Sequence, residues 1–264
     1  MFGGCSFTWG QGLYYYSNLD TLREPLPDHY DQKLLTQAHF DHMKILRYPR
    51  LVANHFKTWE VVHPWNSGSN YSIIQYWHSA FTNTNPNDRQ WTHKQYEYSE
   101  ISHFVFQLTQ HHRDNFLIEF EGEKHFVPFH EVTQGPKQVI FLKWLEQQNL
   151  SLDEWMEQYI QTNIDRVYNF LKDLEDKGIK TVIMVWPNNY MDTVTKNPWL
   201  KERLISFDYK GKNYSNIQDM MMANRELEIK HDTDNFVDTP KDHHPSLLCH
   251  QVMAQHVIVK IESL

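Results

Sequence analysis

Apolar residues recur along this chain at two different spacings, and the spacing changes where the elements change. Between positions 152 and 176, Met156, Ile160, Ile164, Val167, Leu171 and Leu174 are three or four apart, which lines them up on one face of a helix. Asp153 suits the positive end of that helix, and Gly178 suits its termination. The following run, Thr181-Val182-Ile183-Met184-Val185-Trp186, is almost wholly apolar and is closed by Pro187, as a buried strand would be. Helix, glycine and buried strand in this order predict a parallel α/β unit.

The same pattern assigns most of the remaining chain. His103-Phe104-Val105-Phe106-Gln107-Leu108 is a second apolar run of strand length. Residues 116–129 predict a hairpin, with a turn at Glu121-Gly122-Glu123. The hairpin reads as part of an insertion over about 114–150 in a single domain spanning 1–264. A helix is expected around Ile45 to Phe56 with Pro49 in its first turn. Another is expected from Tyr71 to Phe81, with Ile74 and His78 one turn apart. A last helix runs from Ser246 to Ile261, burying Leu248, Val252, Ile258 and Ile261. Trp59 to Val62 and Leu204 to Phe207 read as short strands, with a turn at Lys210-Gly211-Lys212. Residues 11–42 are polar and predict a helix start after Gly12 followed by a long surface connection. Residues 63–70 and 83–88 are loops. Only Met1 to Cys5 precede Ser6, so the first strand is very short or the natural protein begins upstream.

Composition narrows the function classes. The chain has 264 residues, 40% hydrophobic and 22% charged, as a soluble globular protein would. A formal charge of −8 argues against a general nucleic-acid binder, which would carry a basic face. Cys5 and Cys249, the two cysteines, make no disulfide framework and point to a reducing compartment. No apolar run approaches the roughly 18 residues of a membrane span, and no signal peptide opens the chain. The expectation is therefore a cytoplasmic protein without a membrane partner. Aromatics at 14% with 9 Trp fit a Trp-rich core better than sugar-stacking surfaces, since buried aromatic area is the commoner use.

Four separated segments carry candidate chemistry. Gly3-Gly4-Cys5-Ser6 places a hydroxyl where the first strand should end. Gly68 and Asn70 follow the strand expected at 59–62, and Gln110 and His111 follow the strand at 103–108. His244, with Asp242 close by, precedes the last helix. Loops after the strands of a parallel sheet gather at one edge, where ligands bind. A serine hydroxyl needs a base to remove its proton and donors to hold the developing oxyanion, and these segments contain all three.

These blocks resemble the GDSL-like or SGNH hydrolases. Gly4-Cys5-Ser6-Phe7-Thr8 is similar to the first family block, with Cys5 where the family has Asp. Asn66-Ser67-Gly68-Ser69-Asn70 is similar to the second, and Asp242-His243-His244-Pro245-Ser246 to the fifth. Leu108-Thr109-Gln110-His111-His112 stands where the third block has Gly-Xaa-Asn-Asp. The resemblance implies a three-layer α/β/α sandwich with a central, mainly parallel sheet in flavodoxin-like order. It implies ester hydrolysis with Ser6 as nucleophile, His244 as base and Asp242 as orienting acid, Asp238 being the second choice. The N–H groups of Ser6 and Gly68, with a side chain of Gln110 or His111, would hold the oxyanion. It calls for no cofactor and no metal, and for a small-molecule or carbohydrate ester as substrate. An O-acetylated sugar is the preferred reading because Trp9 and Trp65 adjoin the catalytic loops.

Other readings stay beside this one. Cys5 is a second possible nucleophile. A catalytically inactive binding protein on the same scaffold is the alternative, since a shared fold does not guarantee a shared activity. His231, Asp232, Asp234, His243, His244 and His250 are a conceivable metal set, but none of them shows a tight ligand spacing on a predicted helix.

Overall fold

The structure, a computed structural model, describes residues 1–5, 8, 13, 37–62, 68–82, 95–110, 114–228 and 244–264. In chain order the elements are β1 (Phe2–Gly3), α1 (Gln37–Leu46), α2 (Tyr48–His55), α3 (Asn70–Thr82), β2 (His103–Leu108), β3 (Asn115–Phe120) and β4 (Glu123–Pro128). They continue with α4 (Gln138–Gln147), α5 (Leu152–Asp176), β5 (Lys180–Val185), α6 (Met191–Lys196) and α7 (Pro198–Arg203). The last are β6 (Phe207–Tyr209), β7 (Lys212–Tyr214), α8 (Ile217–Ala223) and α9 (Leu247–Glu262).

The molecule is of mixed α/β class, built on a parallel sheet in the order β1-β2-β5. Val105 lies beside both Phe2 and Val182, and Phe106 beside both Gly3 and Ile183. Two short pairings flank the sheet, both parallel: Phe2 with Val62, and Ile183 with Leu204. Alternation along β2 and β5 separates two apolar clusters. Phe104, Phe106, Leu108, Ile183 and Val185 join residues of α3 and α5. Val105, Val182 and Met184 join residues of α2, α8 and α9. Both faces of the strands are thus covered, which is why their sequences are mostly apolar. Each fully buried Phe or Val here stabilises the fold by roughly 1.5–3 kcal/mol.

Helix α5 occupies the expected span, and its start is stronger than Asp153 alone suggests. Ser151 caps it: the Glu154 N–H donates to Ser151 Oγ at 3.2 Å, and the Ser151 N–H donates to Glu154 Oε2 at 2.9 Å. Such a reciprocal cap satisfies two donors that a helix start otherwise leaves open. At the other end Gly178 takes φ +87°, the left-handed conformation that closes many helices.

The hairpin lies at β3–β4 and, among the described residues, pairs only with itself. Glu121 (φ 53°) and Gly122 (φ 80°) make its two-residue turn. Its inner side chains Ile118 and Val127 form a third cluster with Phe141, Leu145 and Trp155 from α4 and α5.

Several expectations are corrected. The helix expected at 45–56 is two helices, with Arg47 extended between them (φ −69°, ψ 148°). Pro49, at the start of α2, has no N–H to give to a carbonyl of α1, so one helix cannot run through. α1 also replaces the end of the surface connection read over 11–42, while the helix start after Gly12 lies outside the described residues. Of the strand expected at 59–62, Val62 alone pairs, and Trp59 is 87% exposed. Of the strand expected at 204–207, Leu204 touches β5 and Phe207 begins the small antiparallel β6–β7 ribbon. Leu248 faces solvent, and Cys249, Met253 and Val257 bury the core face of α9 together with Val252 and Ile261.

Glu60 explains why residues 59–62 are not an extended strand. Its carboxylate is drawn back onto α2, with Arg47 Nη2 at 2.8 Å and Arg50 Nε at 2.9 Å. The Glu60 side chain is 3% exposed and that of Arg47 9%. Breaking a buried pair by removing one partner typically costs about 3–5 kcal/mol, because the other charge stays buried. Glu60→Ala should therefore lower the unfolding free energy by about 3 kcal/mol in urea titration. Arg50→Ala should cost less than about 1 kcal/mol, since that side chain is 35% exposed.

Candidate functional site

Parallel strands end at one edge, so the segments leaving β1, β2 and β5 emerge together. Asn70, the first residue of α3, ties two of these loops. Its Oδ1 accepts the Thr109 N–H at 2.8 Å, and its Nδ2 donates to the Thr109 carbonyl at 3.2 Å. The same Nδ2 donates to the Tyr190 hydroxyl, after β5, at 3.2 Å. Thr109 Oγ1 in turn donates to the Gly68 carbonyl at 3.1 Å. Gly68 and Asn70 are therefore tied to Thr109, the neighbour of Gln110, with Asn70 as the tie. It is 1% exposed and both of its amide protons are engaged, so it staples the loops rather than serving an oxyanion. Gln110 is half-buried beside this staple.

The turn that follows β1 is held from the opposite face of the sheet. Gln107 is fully buried on β2; its Nε2 donates to Cys5 Sγ at 3.4 Å and its Oε1 accepts the Thr8 hydroxyl at 2.5 Å. Thr8 Oγ1 also lies 3.1 Å from the Tyr48 hydroxyl. Thr8 has one proton, given to Gln107, so Tyr48 is the donor in the second bond. A Cβ at Gly4 would fall 1.9 Å from Thr8 Oγ1, so no larger residue fits at that position. Cys5 is 2% exposed; a buried thiol held by an amide is poorly placed to act as a nucleophile.

His244 is half-buried at the entry to α9. Its backbone is fixed by the residues after it: Pro245 pairs with Glu228, the Ser246 N–H donates to the Leu227 carbonyl at 2.7 Å, and Ser246 Oγ donates to the Glu226 carbonyl at 3.1 Å. Ser246 also caps α9, accepting the Cys249 N–H at 3.2 Å. Six residues on, His250 is fully buried and accepts the Tyr48 N–H on Nδ1 at 3.1 Å. That bond puts the proton of the neutral ring on Nε2, which has no partner. Ser6, His111, Asp242 and Asp238 lie outside the described residues.

Electrostatics follow from burial. Desolvation, reinforced by the charges of His244 and Arg47, pushes His250 down to about 3. Burial raises the Tyr48 and Tyr190 hydroxyls, so both stay neutral donors. Burial raises the Asp114 carboxyl too, against a Ser69 hydrogen bond and the Arg166 charge. Tyr159 also donates its hydroxyl to Asp114, so this carboxylate links the hairpin, α5 and the loop before α3.

Among the described residues no three His, Cys, Asp or Glu side chains are close enough to hold a metal ion. Of the metal set considered above, His244 and His250 are described, and Nδ1 of His250 is already an acceptor for Tyr48. Among the described residues no helix is long and apolar enough to cross a membrane.

Sequence reasoning missed Thr8, Gln107, Tyr48, Thr109, Asp114 and Tyr190. Gln107 left one signal: it is the polar position inside an apolar strand, on the same side as Val105. Comparisons with protein-family models, with curated proteins and with solved structures found no match.

The buried neutral His250 predicts acid sensitivity. In the unfolded chain it takes a proton near pH 6.5, whereas the folded protein resists protonation down to about pH 3. Its contribution to stability is complete above pH 6.5 and is lost as the pH falls through that window. His250→Asn, whose amide oxygen can still accept the Tyr48 N–H, should lower the slope of stability against pH by up to about 1.4 kcal/mol per pH unit. Urea unfolding of both proteins from pH 7 to 4 measures the difference.

Proposed function

We propose that this protein is a serine hydrolase acting on carboxylic esters. The observation that carries the reading is the Asn70 staple. It holds Gly68 against Thr109, the residue before Gln110, at the edge where the chain leaves β1. An oxyanion hole needs donors from separate loops held in fixed positions before the reaction begins. The pairings of Val62 beside β1 and of Leu204 beside β5 support the finer architecture: a three-layer α/β/α sandwich whose strand positions run in flavodoxin-like order.

In this reading Ser6 Oγ attacks the ester carbonyl while His244 takes its proton. Asp242, or Asp238, accepts a hydrogen bond from the N–H of the other ring nitrogen and holds the imidazole in orientation. The N–H groups of Ser6 and Gly68, with Gln110 or His111, donate to the oxyanion. The alcohol leaves with the proton from His244. Water, deprotonated by His244, then attacks the acyl-enzyme and releases the acid. The substrate is a small-molecule or carbohydrate ester, with an O-acetylated sugar preferred. Tyr71, next to Asn70, leaves 47% of its surface exposed, and an aromatic ring there suits stacking against a sugar face.

Two measurements test the reading. Ser6→Ala should lower turnover of a short-chain aryl ester at least about a thousandfold and abolish labelling by a fluorophosphonate, while Cys5→Ala keeps both. With His244 as base, kcat/KM should fall as the pH drops below about 6–7. Wild-type protein that neither hydrolyses esters nor labels is a binding protein on this scaffold.

A further inference from the structure

Ser6 stands between two residues whose side chains are both held by one buried amide, that of Gln107. A second anchor reaches the same turn from a different element. Tyr48 opens α2, is fully buried, and has its ring against Phe2 at 5.8 Å and stacked on His250 at 6.0 Å. Its hydroxyl donates to Thr8 at 3.1 Å, and its backbone N–H donates to His250 Nδ1 at 3.1 Å. One residue therefore holds Thr8, two positions after Ser6 in the sequence, with its side chain, and the first turn of α9, which follows His244, with its backbone.

We propose that Tyr48 is a positioning residue that sets the nucleophile turn relative to the histidine-bearing entry to α9, an inference that rests on the hydrolase reading of Ser6 and His244. A helix start leaves its first N–H groups without intrahelical partners, and here one of them is spent on His250. A buried hydroxyl is costly unless bonded, so the Tyr48 proton keeps Thr8 in place. The bonds run in one direction: Tyr48 to Thr8, Thr8 to Gln107, Gln107 to Cys5. Removing the first leaves Thr8 tied on one side only. A misplacement of about 1 Å between reacting groups can cost on the order of a hundredfold in rate, so slack at this point reaches the chemistry without touching substrate.

The test uses Tyr48→Phe, Thr8→Val and the double variant on the full chain, with two readouts. The first is kcat and KM on an aryl acetate, compared at equal folded fraction. Each single change should lower kcat about tenfold and leave KM within about twofold, and the double variant should be no slower than the slower single. The second is the rate of Cys5 alkylation by iodoacetamide, read by peptide mass spectrometry, which should rise severalfold in each variant as the turn loosens. Wild-type kcat and alkylation in Tyr48→Phe, or independent multiplication of the two kcat effects, overturns the proposal. If Ser6→Ala keeps full esterase activity, the hydrolase reading has failed, and the alkylation rates alone decide whether Tyr48 holds the turn. If Tyr48→Phe does not fold, Thr8→Val carries both readouts from the other end of the same bond.

Discussion

A parallel sheet ends in loops whose peptide groups have no neighbouring strand to pair with, and a buried peptide group must find a partner. At the edge of this sheet that partner is the Asn70 amide. It copies the pattern of a strand neighbour, accepting from the Thr109 N–H and donating to the Thr109 carbonyl. The loop before α3 and the loop after β2 thereby become one rigid unit, although 39 residues separate them. The geometry at this edge depends on that substitution of a side chain for a backbone.

The other face of the sheet solves the same problem differently. Gln107 lies in a strand covered on both sides, where any polar group must be satisfied or cost stability. Its amide bonds Thr8 and Cys5. Tyr48 and His250 extend that network into α2 and α9. The two networks lie on opposite faces of the sheet, one through Asn70 of α3 and the other through Tyr48 of α2 and His250 of α9.

The parts of this fold legible in the sequence were those in which one pattern ran without interruption. The stripe of α5, Met156 to Leu174, repeats over about five turns, and 103–108 and 180–185 are mostly apolar on both faces, so tertiary context had little to override. α1 was hidden because half of Gln37–Leu46 is polar and its apolar residues form no long stripe, Met43 being the one fully buried among those described. The strand read at 59–62 failed because the decisive force there is an ion pair across the chain, and periodicity contains no charge. At the site, loop convergence was legible from the order of strands and polar segments. The division of labour between Asn70 as staple and Gly68 as donor was not, because it depends on which amide reaches which peptide. The Thr8–Gln107 bond joins positions 99 apart, a separation over which sequence spacing carries no signal.

The hairpin has its own apolar cluster with α4 and the start of α5 and pairs with no other strand. Elements with a separate core open as separate cooperative units. Yet the hairpin is anchored at Asp114, whose carbonyl accepts the Phe129 N–H at 2.9 Å while its carboxylate bonds Ser69, the residue beside the Asn70 staple. Amide exchange in the hairpin and exchange at Thr109 are therefore not independent clocks. Each opening of the satellite unit slackens the loop before α3, and with it the hold of Asn70 on Thr109.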